Sequence, residues 1–230
     1  MSAIEAQRGR AVRSFVLRAG RITEAQQRAL EDHWPLHGIE FKPEPLNLDA
    51  VFSRSAPHVL EIGFGNGENL AALAQTNPER NYLGIEVHRP GVGRLLLAAA
   101  NARLTNLRII CHDAVEVLKH QLAPDSLDEI LILFPDPWPK KRHHKRRLIQ
   151  AALVELASSR LKPGGLLRLA TDWAPYATQM LEVLSACRSL ENLAPSAAFA
   201  DRPSDRLTTR FEKRGQRLGH EVYDLIFRRR

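Results

Sequence analysis

Leu60-Glu61-Ile62-Gly63-Phe64-Gly65-Asn66-Gly67 is the stretch that decides how the chain is read. An apolar run from Val59 to Gly63 carries into three alternate glycines, and a helix-like segment follows near Asn69–Thr76. The pattern is strand, sharp turn, helix, and glycines there let a backbone bend tightly and approach a ligand closely. A plain strand-to-helix turn would use the same residues. A dinucleotide fingerprint needs a further glycine three places after its second, where this chain has Glu68. A pyrophosphate would also sit poorly beside Glu61 and Glu68.

Outward from this turn, short apolar runs alternate with helix-like segments, the sign of an α/β fold on a mostly parallel sheet. Strands are expected at Val59–Gly63, Tyr82–Val87, Leu107–Cys111, Glu129–Phe134 and Leu166–Thr171. Helices are expected near Asn69–Thr76, Gly93–Leu104, Ala114–Leu122, Lys145–Leu161 and Tyr176–Ser189. Near-continuous apolar strands fit a sheet covered on both faces. Strand-like segments near Leu190–Ala194 and Glu221–Phe227 add a late antiparallel pair, which completes a doubly wound, Rossmann-like sheet. Residues 1–50 read as a basic N-terminal arm or cap, with six arginines between Arg8 and Arg28, and residues 51–230 as the main domain.

The 230 residues are 44% hydrophobic, enough for one core, and the net charge of +7 favours a polyanionic partner, with nucleic acid ahead of a membrane surface. No apolar run approaches the ~18 residues of a membrane span, and no apolar signal core opens the chain. The Arg-rich start would also suit a transit peptide, but an RNA-contacting arm is preferred. Cys111 and Cys187 have no partner pattern and suggest a reducing cytoplasm. The histidines show no metal-ligand spacing, and there is no activated Ser or Cys nucleophile.

In an open α/β sheet, ligands bind beyond the carboxyl ends of the strands at the switch point. Glu61, Glu86 and Asp113 end three expected strands around one such crevice. Glu86 could accept from ribose hydroxyls and Asp113 from an adenine amino group. Each alone could be a solvated strand-end acid. Together they repel phosphate and suit a cation. S-adenosylmethionine carries a sulfonium, an ammonium, a ribose and an adenine but no phosphate, so the electrostatics select it over a nicotinamide dinucleotide.

The fourth strand runs into Phe134-Pro135-Asp136-Pro137-Trp138-Pro139-Lys140, a stiff loop with few conformations to lose. Asp136 could accept from the N1–H and amino group of a guanine, or merely cap a turn. Trp138 could stack on an extruded base or pack as a lid. Arg142-His143-His144-Lys145-Arg146-Arg147 follows, read as the basic start of a helix. A helix N-terminus prefers acids, so loading it with cations makes sense where a phosphate is held by both. Asp172, after the fifth strand, could help hold the base or cap the next helix. Thr209-Arg210-Phe211-Glu212 joins polar groups of both signs to one aromatic, a weak signal from spacing alone.

These residues together resemble the bacterial tRNA (guanine-N7)-methyltransferases. The resemblance runs from about Phe52 to the C-terminus through Leu60–Gly67, Gly84-Ile85-Glu86-Val87-His88, Phe134–Lys140, Thr171-Asp172-Trp173 and Thr209–Glu212. The glycine motif alone would indicate only a class I methyltransferase, and the proline-rich loop is the most telling segment. The resemblance implies that Glu61, Gly63, Gly65, Gly67, Glu86, Asp113 and Asp136 bind S-adenosylmethionine, with Asp136 catalytic. It implies that Lys140, Asp172, Thr209, Arg210, Phe211 and Glu212 bind substrate, and that Arg142, His143, His144, Lys145, Arg146 and Arg147 contact RNA. It also implies a cytoplasmic enzyme, monomer or homodimer, that forms 7-methylguanosine in the tRNA variable loop and needs no membrane or metal. The competing readings are a methyltransferase for a small molecule or protein, which leaves Arg142–Arg147 unused, and a non-catalytic tRNA-binding module.

Overall fold

The computed structural model describes residues 21–204, 206, 212 and 221–230. Among the described residues eight strands form one sheet: β1 (Gly38–Ile39), β2 (His58–Ile62), β3 (Asn81–Ile85), β4 (Leu107–Ile110), β5 (Leu127–Leu133), β6 (Leu161–Thr171), β7 (Leu190–Asn192) and β8 (Tyr223–Arg229). Their order across the sheet is β1-β4-β3-β2-β5-β6-β8-β7. The pairs from β1 to β6 are parallel, and β8 runs antiparallel between β6 and β7. The doubly wound sheet and its late antiparallel pair are thus present as expected. The order reverses between β2 and β5, so the turns after these two strands meet at the switch point.

Every residue of β2 and β3 is buried, as strands covered on both faces require. Leu60, Ile62, Ile130, Ile132, Leu167 and Leu169 face one layer, built from α6 (Ala114–His120), α7 (Ala151–Arg160) and α8 (Ala174–Ala186). Val59, Tyr82, Leu107, Ile109 and Leu131 face the other, built from α4 (Glu68–Thr76) and α5 (Arg89–Asn101). Period-two alternation puts Glu61 on the second face, beneath α4. Each fully buried Leu or Ile contributes about 1.5–3 kcal/mol.

The part of residues 1–50 that is described packs on this same sheet. Thr23 and Gln26 form a reciprocal capping box that opens α1 (Glu24–Asp32). Ala29 of this helix joins the α4–α5 layer. After α2 (Trp34–His37), the short β1 adds a strand beside β4. A side chain at Gly38 would place its Cβ 2.2 Å from the Trp34 ring. Then α3 (Leu48–Phe52), capped by Asn47, leads into β2. Arg8, Arg10, Arg13 and Arg18 lie outside the described residues.

Two helices begin earlier than expected, because Pro90 and Pro175 sit in the first turns of α5 and α8. The helix expected at Lys145–Leu161 is the larger correction. Lys141–Arg146 form a separate 3-10 turn, Arg147 is extended, and α7 starts only at Ala151. The cations therefore do not load the N-terminus of α7, whose dipole is not placed to hold a phosphate jointly with them. Among the described residues no helix is long and apolar enough to cross a membrane, and no group of three or more His, Cys, Asp or Glu could hold a metal ion.

Candidate active site

The glycine turn after β2 is shaped by its backbone. Gly63 and Gly65 have φ of +73° and +59°, which L side chains rarely adopt, and a Cβ at either position would meet no atom within 4 Å. The turn therefore faces open space on its ligand side. Its other side is tightly packed, since a Cβ on Gly91 of α5 would lie 2.0 Å from the Gly65 carbonyl oxygen.

Glu86 braces this turn. Its Oε2 accepts the Gly65 N–H at 2.9 Å, and its Oε1 accepts the N–H groups of Val87 and His88 at 2.7 and 3.0 Å. A carboxylate offers about four acceptor positions, so Glu86 keeps capacity for a ribose hydroxyl while holding the loop. Glu61 is 3% exposed and accepts from Asn69 Nδ2 of α4 at 3.0 Å. Burial pushes its carboxyl up to about 7, the Asn69 bond opposes the rise, and the Glu86 charge adds to it. A cationic ligand in the crevice would favour its ionised form. Asp113 is the N-cap of α6 and accepts the Val115 N–H at 2.8 Å, so one of its carboxylate oxygens serves the helix. Glycines open to the ligand side and an acidic donor set fit S-adenosylmethionine and oppose a phosphate.

Opposite stands the proline loop after β5. Phe134 and Trp138 have φ of +51° and +43°, and each directly precedes a proline. The left-handed region is sparsely populated by such residues, and each instance costs about 1–3 kcal/mol. The strain is sustained by fixed anchors: the Phe134 N–H donates to the Ala170 carbonyl at 2.8 Å, and Arg147 Nε donates to the Pro137 carbonyl at 2.9 Å. Asp136, between them, is exposed at the switch point. Trp138 has the Arg146 guanidinium over its ring at 5.1 Å and the His143 ring edge-on at 5.7 Å. A base stacking on that face would have to displace Arg146.

The basic segment divides. Lys140, Arg142 and Lys145 are exposed, and His143, His144 and Arg146 are half-buried around Trp138 and the start of α7. Arg147, also expected to contact RNA, is 3% exposed and unlike its neighbours turns into the protein. Asp172 is half-buried, and it does not cap α8: Trp173 holds that position without a side-chain cap.

Thr209, Arg210 and Phe211 lie outside the described residues. Glu212, expected to bind substrate, is 1% exposed and pairs with Arg206 at 2.7 and 3.1 Å. Arg206 also bonds Asp224 of β8 at 3.1 Å and lies 5.7 Å over the Phe134 ring. This buried ion cluster supports the proline loop from behind. Neither Arg206 nor the loop-holding role of Arg147 was visible in sequence, because both depend on partners far along the chain.

Fold and site together define a class I S-adenosylmethionine-dependent methyltransferase. Residues 55–225 match a family model described as "Putative methyltransferase". The chain superposes with a TM-score of 0.55 and 16% identity on a 16S rRNA (adenine(1408)-N(1))-methyltransferase from Catenulisporales acidiphilia, over 83% of this chain and 92% of that one. It superposes with a TM-score of 0.53 and 15% identity on the 16S rRNA methyltransferase KamB, over 79% and 93%. At these identities the likeness shows the fold alone. Sequence relatives go further: the tRNA (guanine-N(7)-)-methyltransferase of Yersinia enterocolitica is 53% identical over 96% of this chain and 92% of its own length. That of Cronobacter sakazakii is 52% identical over the same shares. The chain belongs to the tRNA (guanine-N(7)-)-methyltransferase family.

Proposed function

We propose that this chain transfers a methyl group from S-adenosylmethionine to N7 of a guanosine in the tRNA variable loop, forming 7-methylguanosine. The observation that supports the reading is that the glycine turn and the proline loop follow the adjacent strands β2 and β5 at the switch point, with Asp136, Lys140, Arg142 and Lys145 exposed beyond β5. Family membership supports the same acceptor.

Glu61, Glu86, Asp113 and the turn at Gly63–Gly67 hold the donor, which supplies an electrophilic methyl group on a sulfonium. Guanine N7 has a free lone pair and no proton at neutral pH, so no strong general base is needed. The protein's task is alignment at about 3–3.5 Å and electrostatic support of developing charge. The purine gains positive charge as it takes the methyl group, and a carboxylate on its Watson–Crick edge is then favoured more than before. Asp136 fills that role, helped by Asp172 nearby in chain order on the next strand end. Lys140, Arg142 and Lys145 hold tRNA phosphates. A cytoplasmic setting is part of this reading, supported by two free thiols, Cys111 and Cys187.

The test is to incubate the protein with methyl-labelled S-adenosylmethionine and unmodified tRNA, digest the RNA and identify the labelled nucleoside. Label in 7-methylguanosine is expected. Label in another nucleoside overturns the N7 assignment.

A further inference from the structure

Arg147 closes the basic run, yet it behaves unlike the exposed cations before it. The backbone at Arg147 is extended, with φ −56° and ψ 134°, so its side chain leaves the 3-10 turn and enters the protein. There the guanidinium spans two elements. Nε donates to the Pro137 carbonyl at 2.9 Å, one residue past Asp136. Nη1 donates to Gln179 Oε1 at 2.5 Å and to the Pro175 carbonyl at 3.5 Å, both on α8, which begins two residues after Asp172. The guanidinium also lies 4.8 Å over the ring of Tyr176, whose oxygen accepts the Ile149 N–H at 3.0 Å.

The chemistry of the loop explains why such a group is needed. Pro135, Pro137 and Pro139 have no N–H to donate, so the loop is tied down largely through its carbonyls, and a carbonyl needs an outside donor. A guanidinium offers five donors in a rigid fork. It can hold one element with Nε and another with Nη1. Its plane also lies over Tyr176, so the fork is fixed in orientation as well as in place.

We propose that Arg147 is a positioning residue for methyl transfer and not an RNA contact: its guanidinium fixes the Asp136 loop against the helix that follows Asp172, and so sets how the two acids stand relative to each other. This rests on the function proposed above, in which both acids face the guanine.

The test compares Arg147→Ala, Arg147→Lys and Gln179→Leu with the unaltered chain. The measurements are the single-turnover rate of 7-methylguanosine formation at saturating tRNA, tRNA affinity across a salt series, and thermal melting. Lysine keeps the charge but lacks the fork, and Gln179→Leu removes the side-chain partner on α8, leaving the Pro175 carbonyl, with no change in charge. Expected are rates about 100-fold lower for both Arg147 variants, the loss associated with roughly 1 Å of misplacement, a smaller loss of about 10-fold for Gln179→Leu, and an unchanged salt slope. A near-normal rate with a salt slope reduced by about one unit, the signature of one lost phosphate contact, would overturn the proposal. So would lower melting temperatures with the rate intact. If Arg147→Ala does not fold, the other two variants decide. Absence of 7-methylguanosine from the unaltered chain would instead overturn the underlying function, a distinct result.

Discussion

The glycine turn after β2 and the proline loop after β5 face each other across the switch point, but they keep their shapes by opposite means. The glycine turn reaches positive φ at residues that tolerate it, and its braces are local: Glu86 and Gly91 follow within one β-α unit. The proline loop reaches positive φ at Phe134 and Trp138, which resist it. Its braces come from afar: Ala170 on β6, Arg147 beyond the 3-10 turn, and Arg206 with its partners Glu212 and Asp224. The first loop is shaped by its own residues and the second is imposed by its surroundings. A common donor can be served by a self-contained turn, whereas a particular base demands a loop set by the rest of the fold.

If this contrast holds, damage to the distant braces should cost most. Arg206→Ala takes from the buried Glu212 and Asp224 carboxylates the cation they share, leaving Glu212 the more exposed Arg202 at 3.4 Å, and breaking a buried pair in this way costs about 3–5 kcal/mol. Urea unfolding should show that loss. A change below about 1 kcal/mol would mean that the cluster does not support the loop.

On the glycine side, Gly91→Ala drives a Cβ into the Gly65 carbonyl oxygen. Overpacking of this kind costs about 1–3 kcal/mol, so S-adenosylmethionine affinity should fall roughly 10- to 100-fold. Calorimetric titration measures it, with tRNA affinity near normal as the control. Equal loss of both ligands would break the separation of the two loops.

The contrast also governs what was legible in sequence. The parallel sheet, its switch point, the glycine turn and Glu61, Glu86 and Asp113 could be read because strand rhythm and glycine spacing are local. The capping box at Thr23 and Gln26 is equally local and marks α1 within the stretch whose basic composition suggests an arm. Arg147 could not be placed: one more cation at the end of a basic run looks like its neighbours until the backbone turns it inward. The pairing of Glu212 with Arg206 is not legible either, because it takes shape only where β8 brings Asp224 alongside.

A smaller effect concerns pH. Burial lifts the Glu61 carboxyl to about 7 from an ordinary 4.5. Its contribution to folding is therefore fully present below about pH 4.5 and lost as pH rises through 7. A bound cation favours the ionised form, so S-adenosylmethionine binding should release a proton and tighten up to tenfold between about pH 6 and 7, then level off. Glu61→Gln should flatten that dependence relative to the unaltered protein, which titration in buffers of different ionisation heat would reveal. An unchanged profile would remove Glu61 from the electrostatics of the crevice.

The central claim is that Asp136 supports charge developing on the guanine. The most direct test is Asp136→Ala, read as the single-turnover rate of 7-methylguanosine formation beside the tRNA dissociation constant at one salt concentration. The expected result is a rate at least about 100-fold lower, with tRNA affinity changed by less than about threefold. Rate and affinity falling by the same factor would contradict it, because Asp136 would then hold the ground state no less than the transition state.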